Sequence, residues 1–370
     1  MLAMADEQLA DLLKTQIPLT EWMEDIKHRD VELIRREDKN KHQRLGELHA
    51  LIELPIEGAV QFEALDLVNG SPEFDLYMSQ YSDQPCSLRL LPKDDKLPRL
   101  RIRGKSVVDA SNWAKQQDVQ LANYRANFVP HPPDYSWSTI FVVNRHGIQG
   151  EIIFGGHHLL TQGFHDQQPI LFKYDYKSWQ LSEDNPDALA HLQKLAAHLQ
   201  VSDKTSQKKV GEKLEGWFHH NYLAGYFEST DSSVGTWFID YNRILGRMFE
   251  DVDVPIRRKK SALTPLLTGR AGSNGQAEGE IRIISALGID EDFQPGQILV
   301  CEMTTPNHVP LMKKAAAIIT DQGGILCHAA IVARELGIPC IVGTGSATTS
   351  LNNGDRVIID ATAGTVLLQP

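Results

Sequence analysis

The stretch TDQGGILCHAAIVAREL at 320–336 places two glycines and a histidine directly before a segment with helical periodicity. The apolar run AAIITD before it predicts a buried strand, so the whole stretch predicts a strand, a tight turn and a helix. Gly323 and Gly324 allow the backbone to turn sharply and to approach a ligand closely. Because a helix begins with unpaired N–H groups and a positive dipole end, we predict an anion site here.

His328 lies at the start of this helix, where it can carry chemistry. A neutral imidazole can act as a nucleophile toward phosphorus, and the N–H groups that bind an anion would also hold the resulting phosphohistidine. The alternative is that His328 only caps a helix in an αβ unit. The glycines and the histidine alone leave both interpretations open.

The sequence around this stretch distinguishes a phosphorylated histidine from a helix cap. It includes TTP with Thr304 and Pro306, AIVARELGIP at 330–339, and a closing GD followed by D-x-x-x-G. Over about 269–370 it closely resembles the mobile phosphohistidine, or swivelling, domain of phosphoenolpyruvate synthase, pyruvate phosphate dikinase and rifampicin phosphotransferase. The resemblance implies a compact β/β/α fold with phosphorylation of His328. The residues that it places around the phosphohistidine are Thr320, Gly323, Gly324, Cys327 and Arg334.

A second group of residues suggests a source of phosphoryl groups. In YFESTDSSVGTWFIDYNRILG, Glu228 precedes Asp240 by twelve residues, and Asn242 follows two residues later. If two antiparallel strands flank the polar turn, Asp240 and Asn242 share one face and the turn brings Glu228 beside them. Three oxygen ligands in one patch suit Mg²⁺, whereas the alternative is ordinary polar positions on a hairpin.

This pattern is similar to the metal-binding end of an ATP-grasp domain, which the region 80–245 loosely resembles. YRANFVPHPPDYSWSTIFVVNRHGIQGEIIFGG resembles the segment in which a hinge strand that contacts adenine leads into a hairpin. PCSLRLL is similar to a strand that presents an arginine to phosphate, which implies an ATP-binding role for Arg89. Arg101 and Arg103 are further candidates, since a planar guanidinium suits phosphate oxygens, although each can equally be a surface charge.

The chain contains two pairs of adjacent histidines, but neither pair predicts a metal site. His157 and His158 are adjacent, as are His219 and His220. Neighbouring side chains on a strand point to opposite faces, and neither pair has the spacing of metal ligands.

Composition limits the remaining possibilities. The net charge of −11 gives little support for nucleic acid binding, and no apolar run is long enough to span a bilayer. Four cysteines without C-x-x-C spacing argue against a zinc site or a disulfide framework. The N-terminus MLAMADEQLADLL lacks the features of a secretory signal, so we read it as an amphipathic helix and expect a cytoplasmic location.

Changes in residue composition and hydrophobic pattern along the chain, together with the resemblances above, predict a multidomain α/β and α+β protein. In it, an ATP-grasp-like domain precedes the swivelling domain. Dense charge with helical spacing predicts one or two surface helices at the N-terminus. Short apolar strands broken by turns follow, and the basic, proline-containing EDVDVPIRRKKSALTP indicates a linker. The expected divisions are 1–45 helical, 46–250 ATP-grasp-like, 251–268 linker and 269–370 swivelling.

These expectations define a leading function and an alternative. The leading hypothesis is a dikinase-type phosphotransferase that uses ATP and Mg²⁺ to phosphorylate His328, releasing AMP and phosphate, and passes the group to an acceptor. The resemblance implies that the β-phosphoryl group is the one moved. We expect the acceptor to be a small molecule or a partner subunit. The alternative is a phosphohistidine carrier subunit with a non-catalytic middle domain and a separate partner protein.

Overall fold

The computed structural model describes residues 19–94, 97–162, 168–256, 264–285, 288 and 292–369. The described parts of 1–54, 137–229 and 240–370 form one compact unit, and those of 55–136 and 230–239 form a second. The predicted helix at the extreme N-terminus and the basic run 257–260 lie outside the described residues. The four-part division of the chain stays a prediction.

Three helices open the first unit, and each buries one face and exposes the other. They span Leu19–Asp25 (α1), Val31–Lys39 (α2) and Lys41–Ile52 (α3). Trp22 and Met23 are buried, and so are the charged side chains of Glu37 and Arg44. The charge-rich segment thus forms helices at the surface, as expected, but the charged side chains of Glu37 and Arg44 pair in the interior.

The first unit also contains most of a six-stranded sheet in the order β12-β11-β5-β6-β7-β8. The β5–β6, β6–β7 and β7–β8 pairs are antiparallel. The strands are Tyr135–Asn144 (β5), Gly147–Phe154 (β6), Ile170–Tyr174 (β7), Trp179–Leu181 (β8), Gly225–Ser232 (β11) and Gly235–Asn242 (β12). As predicted, β11 and β12 flank a polar turn, and β5 and β6 form a hairpin.

Helices accompany this sheet, together with the short pair Phe218–His219 (β9) and Tyr222–Leu223 (β10). Asn185 caps the longest of them through the backbone N–H of Ala188, and Pro186 takes the first helical position, where its fixed φ suits the helix. The helices are His158–Gln162 (α7), Pro186–Leu199 (α8), Lys204–Leu214 (α9) and Arg243–Met248 (α10).

The C-terminal part of the first unit is built on an eight-stranded sheet in the order β13-β20-β19-β15-β16-β17-β18-β14. Strands β15 to β18 are parallel neighbours, and the outer pairs are antiparallel. The strands are Leu267–Thr268 (β13), Arg270–Ser273 (β14), Gln276–Ile283 (β15), Ile298–Cys301 (β16), Ala317–Thr320 (β17), Cys340–Val342 (β18), Arg356–Asp360 (β19) and Thr365–Leu368 (β20). The helices are Val309–Met312 (α11), His328–Leu336 (α12) and Ala347–Ser350 (α13), with a 3₁₀ turn at Pro306–His308.

The second unit has its own four-stranded antiparallel sheet in the order β1-β4-β2-β3. Its core packs one face of that sheet against the helices. The elements are Val60–Glu63 (β1), Asp66–Asn69 (α4), Pro72–Tyr81 (α5), Pro85–Pro92 (β2), Leu100–Ser106 (β3), Val107–Lys115 (α6), a 3₁₀ turn at Leu121–Asn123, and Tyr124–Pro130 (β4). Among the described residues, no helix is long and apolar enough to cross a bilayer.

Candidate functional site

The histidine loop, residues 321–327, connects the end of β17 to the start of α12, as the sequence predicted. Gly323 has a φ of 107°, a conformation that favours glycine. The N-cap of α12 is Cys327, and His328 is the first residue of the helix. His328 is therefore not the capping residue, which removes the simplest structural explanation for a histidine at this position.

A buried carboxylate from β6 holds this loop. Glu151, only 3 % exposed, accepts a hydrogen bond from the backbone N–H of Ile325 at 3.1 Å and pairs with Arg270. A Cβ atom at Gly324 would overlap the Glu151 carboxylate, so this glycine is needed for close approach to a side chain. The loop is thereby docked against the six-stranded sheet.

His328 is partly buried and lies near two side chains from distant parts of the chain. The indole ring of Trp22 in α1 lies with its centroid 5.7 Å from the imidazole centroid. Burial lowers the pKa of His328 to about 4, and the carboxylate of Glu228 opposes that effect by favouring the imidazolium. The imidazole is consequently neutral near pH 7, the protonation state that a nucleophile requires.

Glu228, Asp240 and Lys41 are partly buried and interact electrostatically with one another. Lys41 Nζ lies 3.2 Å from Asp240 Oδ2. Burial raises the pKa of Asp240 to about 6, with Lys41 opposing and Glu228 reinforcing the shift. Burial also tends to raise the pKa of Glu228, but His157, Lys41, the Tyr226 hydrogen bond and His328 together hold that pKa below its usual value. Glu228 therefore lies close enough to Asp240 to raise the pKa of that carboxyl.

Two further side chains orient Glu228. Tyr226 donates a hydrogen bond from its hydroxyl to Glu228 Oε1 at 2.7 Å. His157 Nε2 lies 3.2 Å from Glu228 Oε2. Burial lowers the pKa of His157 against the opposing effect of Glu228. The structure therefore brings one member of a histidine pair to the site, although that pair lacks metal-ligand spacing.

Asn242, the third predicted metal ligand, has a structural hydrogen bond. Its Oδ1 accepts from the backbone N–H of Leu245 at 2.9 Å and so caps α10. On the same segment, the carbonyl of Tyr241 accepts from Arg44, and Glu37 pairs with Arg243. Helices α2 and α3 thus fix the end of β12, and with it the position of Asp240.

The predicted phosphate ligands around His328 are largely engaged with the protein itself. Thr320 donates its hydroxyl proton to the carbonyl of Gln322 at 2.6 Å. Arg334 donates from Nη2 to the carbonyl of Ile325 at 2.7 Å, and its guanidinium lies 5.1 Å from the centroid of the Phe249 ring. Burial raises the pKa of the Cys327 thiol to about 11, which indicates a packed, unreactive group.

The donor set at Glu228 and Asp240 fits Mg²⁺ only in part. Asp240 Oδ1 is buried and has no hydrogen-bond partner among the described residues, so one hard oxygen ligand is available. However, the described ranges contain no group of three or more His, Cys, Asp or Glu side chains arranged to hold a metal ion. If Mg²⁺ binds here, Glu228 and Asp240 would hold it together with nucleotide phosphates, as Mg²⁺ usually binds.

The second unit carries the three arginines that sequence analysis selected. Arg89 and Arg101 are direct cross-strand partners on β2 and β3, and Arg103 lies two residues further along β3. Strand alternation places all three on the face opposite the buried Leu88 and Leu90. Partial burial and the neighbouring arginines lower the pKa of Arg101 to about 10. Such a cluster of like charges is suited to binding an anion.

Sequence analysis missed four residues of the first unit's site. Lys41 and Trp22 belong to helices that we expected at the surface, and the partner of Lys41 lies almost two hundred residues away. His157 was discounted for its spacing. Glu151 belongs to no recognisable sequence motif. Only the glycine pair in the histidine loop indicated that another group approaches the loop backbone closely.

Comparison with known proteins supports the C-terminal assignment. Residues 293–364 match the family described as "PEP-utilising enzyme, mobile domain". A probable phosphoenolpyruvate synthase of Methanothermobacter thermautotrophicus is 48% identical over 122 residues, which cover 33% of this chain and 17% of that protein. Phosphoenolpyruvate synthase of Pyrococcus furiosus is 37% identical over 158 residues, covering 43% of this chain and 19% of that protein. The chain therefore spans less than one-fifth of the length of either relative.

Among solved structures, a RimK domain ATP-grasp protein from Sphaerobacter thermophilus is 13% identical, with a TM-score of 0.29. The likeness covers 55% of this chain and 59% of that one. At this level it does not by itself assign a fold to the middle region. The mixed α/β class and the resemblance of the C-terminal region to PEP-utilising mobile domains are confirmed.

Proposed function

We propose that this chain is an ATP-dependent phosphotransferase that phosphorylates its own His328 and passes the phosphoryl group to an acceptor. The observation that carries the proposal is the position of His328 in the first unit. The imidazole is neutral, and it lies close enough to Glu228 for that carboxylate to affect its pKa. A nucleophile that adjoins a carboxylate pair suited to phosphate-bound Mg²⁺ is the arrangement that phosphoryl transfer requires.

The proposed reaction assigns each group a role. A nitrogen of the His328 imidazole attacks the β-phosphorus of ATP, and the bond from that phosphorus to the oxygen of AMP breaks. Water then removes the γ-phosphoryl group as inorganic phosphate. Overall, ATP, water and His328 give phosphohistidine, AMP and phosphate, which agrees with the products that the family resemblance implies.

Lys41 and the carboxylate pair would bind the phosphate end of ATP. The ammonium of Lys41 lies against Asp240 and carries the positive charge that a polyphosphate needs. Bound Mg²⁺ would neutralise phosphate charge, with Glu228 and Asp240 as its protein ligands. Tyr226 orients the Glu228 carboxylate through its hydrogen bond. Arg89, Arg101 and Arg103 of the second unit stay proposed phosphate-binding residues on the family resemblance alone.

The acceptor is a small molecule or a site on a partner subunit. The relatives named phosphoenolpyruvate synthase make pyruvate the first acceptor to test. We place the proposed enzyme in the cytoplasm, as the sequence predicted.

One observation favours the alternative, a carrier subunit that accepts phosphate from a partner. Asp240 Oδ2 already pairs with Lys41, and Asn242 Oδ1 already caps α10. If ATP does not react at this site, these two contacts have only a structural role.

Incubation of the purified chain with Mg²⁺ and ATP tests the two functions against each other. We expect AMP release and a phosphorylated peptide containing His328 in the wild type, mapped by mass spectrometry at neutral or alkaline pH. His328→Ala should abolish the modification, and Asp240→Asn should slow it. A wild-type chain that forms neither AMP nor phosphopeptide, yet is phosphorylated in a cell extract, would support the carrier alternative.

A further inference from the structure

Helix α1 is built into the surroundings of His328. Trp22 is 2 % exposed and shares a buried cluster with Leu299 and Val332 of the C-terminal part of the unit. Its neighbour Met23 is buried in a different cluster, with Val142 of the six-stranded sheet. Helix α1 thus contributes to two buried clusters, and its position beside His328 follows from this burial.

The N–H group of Trp22 stands out among the donors near His328. Trp22 Nε1 is buried and has no hydrogen-bond partner among the residues that the structure describes. A buried tryptophan N–H usually finds a partner, since leaving it unpaired costs free energy. The indole and imidazole rings are tilted by 56° with their centroids 5.7 Å apart, so a group attached to the imidazole would lie within reach of the indole.

The other donors expected around a phosphohistidine are less available. The Thr320 hydroxyl donates to the carbonyl of Gln322, and the Ile325 N–H donates to Glu151. Arg334 has one buried, unpaired nitrogen, but it follows His328 by six residues and therefore projects from a different face of α12. Of the side chains of Thr320, Arg334 and Trp22, Trp22 is the donor that both adjoins the imidazole and lacks a described partner.

We propose that Trp22 is a phosphoryl-binding residue, whose indole N–H donates a hydrogen bond to an oxygen of the phosphoryl group on His328. A phosphoryl group brings three strong acceptor oxygens to the ring, which supplies the partner that Nε1 lacks. The bond withdraws charge from the phosphoryl oxygens and so slows loss of the group to water, while the indole excludes water from one side. This inference rests on the proposed phosphorylation of His328, although not on ATP as its source.

Chemical phosphorylation separates this inference from the proposed function. With potassium phosphoramidate, an imidazole nitrogen attacks phosphorus, the phosphorus–nitrogen bond of the reagent breaks and ammonia leaves. The chain is labelled with ¹⁵N-tryptophan, and indole N–H signals are recorded before and after reaction. Trp22→Phe assigns the Trp22 signal, and His328→Ala identifies changes that depend on His328.

We expect the Trp22 indole proton to shift downfield when His328 carries the phosphoryl group, as a new charge-assisted hydrogen bond requires. Trp22→Phe keeps an aromatic ring but removes the N–H, and it should shorten the half-life of phosphohistidine roughly tenfold. Trp113→Phe, in the second unit, should leave the half-life unchanged. An unshifted Trp22 signal together with a wild-type half-life in Trp22→Phe would overturn the inference. Modification by phosphoramidate but never by ATP would refute the proposed function alone.

Discussion

Removal of the Glu151 carboxylate should release the histidine loop from the six-stranded sheet. Glu151→Ala leaves the Arg270 guanidinium, whose side chain is 10% exposed, without its anion, and the Ile325 N–H without its acceptor. Breaking a buried ion pair costs about 3 to 5 kcal/mol, and Arg270 keeps one bond to the carbonyl of Pro169, so we expect about 3 kcal/mol. Glu151→Gln retains an acceptor oxygen and should lose about 1 kcal/mol.

Amide hydrogen exchange of peptides covering 321–331 measures this loss directly. A cost of 3 kcal/mol corresponds to roughly a hundredfold loss of protection if the loop opens locally. Glu278→Ala is the matched control, because Glu278 is exposed on β15 and its removal should change stability by less than about 0.5 kcal/mol. Protection in Glu151→Ala that equals protection in the Glu278→Ala control would refute the docking role of Glu151.

Three further experiments test the site. The imidazole of His328 should titrate near pH 4 in an NMR titration of the folded protein. The unfolded chain takes up this proton near pH 6.5. The stability that the neutral imidazole contributes should therefore be lost as the pH falls from about 6.5 to about 4. Lys41→Met removes the cation that lowers the pKa of Asp240, so a carboxyl titration should show that pKa above its present value of about 6, with slower phosphorylation from ATP. Gly324→Ala drives a methyl group into the Glu151 carboxylate and should lower the free energy of unfolding by about 2 kcal/mol, measured by urea denaturation.

Local patterns in the sequence predicted much of the C-terminal structure. The glycine pair and the periodic segment after it identified the loop and helix that carry His328. Local patterns also predicted the hairpin that brings Glu228 near Asp240, because strand alternation and a polar turn can be recognised from neighbouring residues. Helix α8 likewise begins where Asn185 and Pro186 indicate.

Features that depend on distant partners could not be predicted in this way. Charge-rich helices near the N-terminus suggested a solvated surface, but Glu37 is buried against Arg243, about two hundred residues further along the chain. Glu151 and Ile325 are separated by a similar distance. Asn242 illustrates the opposite problem, since one side chain suits both a metal site and a helix cap, and sequence spacing does not distinguish them.

The source of the phosphoryl group on His328 tests the central claim most directly. Purified chain is incubated with Mg²⁺ and ATP carrying ³²P at either the β or the γ position, and acid-labile protein label is counted beside His328→Ala. The account predicts label on wild-type protein from β-labelled ATP at close to one group per chain, loss of γ-label as inorganic phosphate, and no label on His328→Ala. Equal absence of label from wild type and His328→Ala with both nucleotides would contradict it.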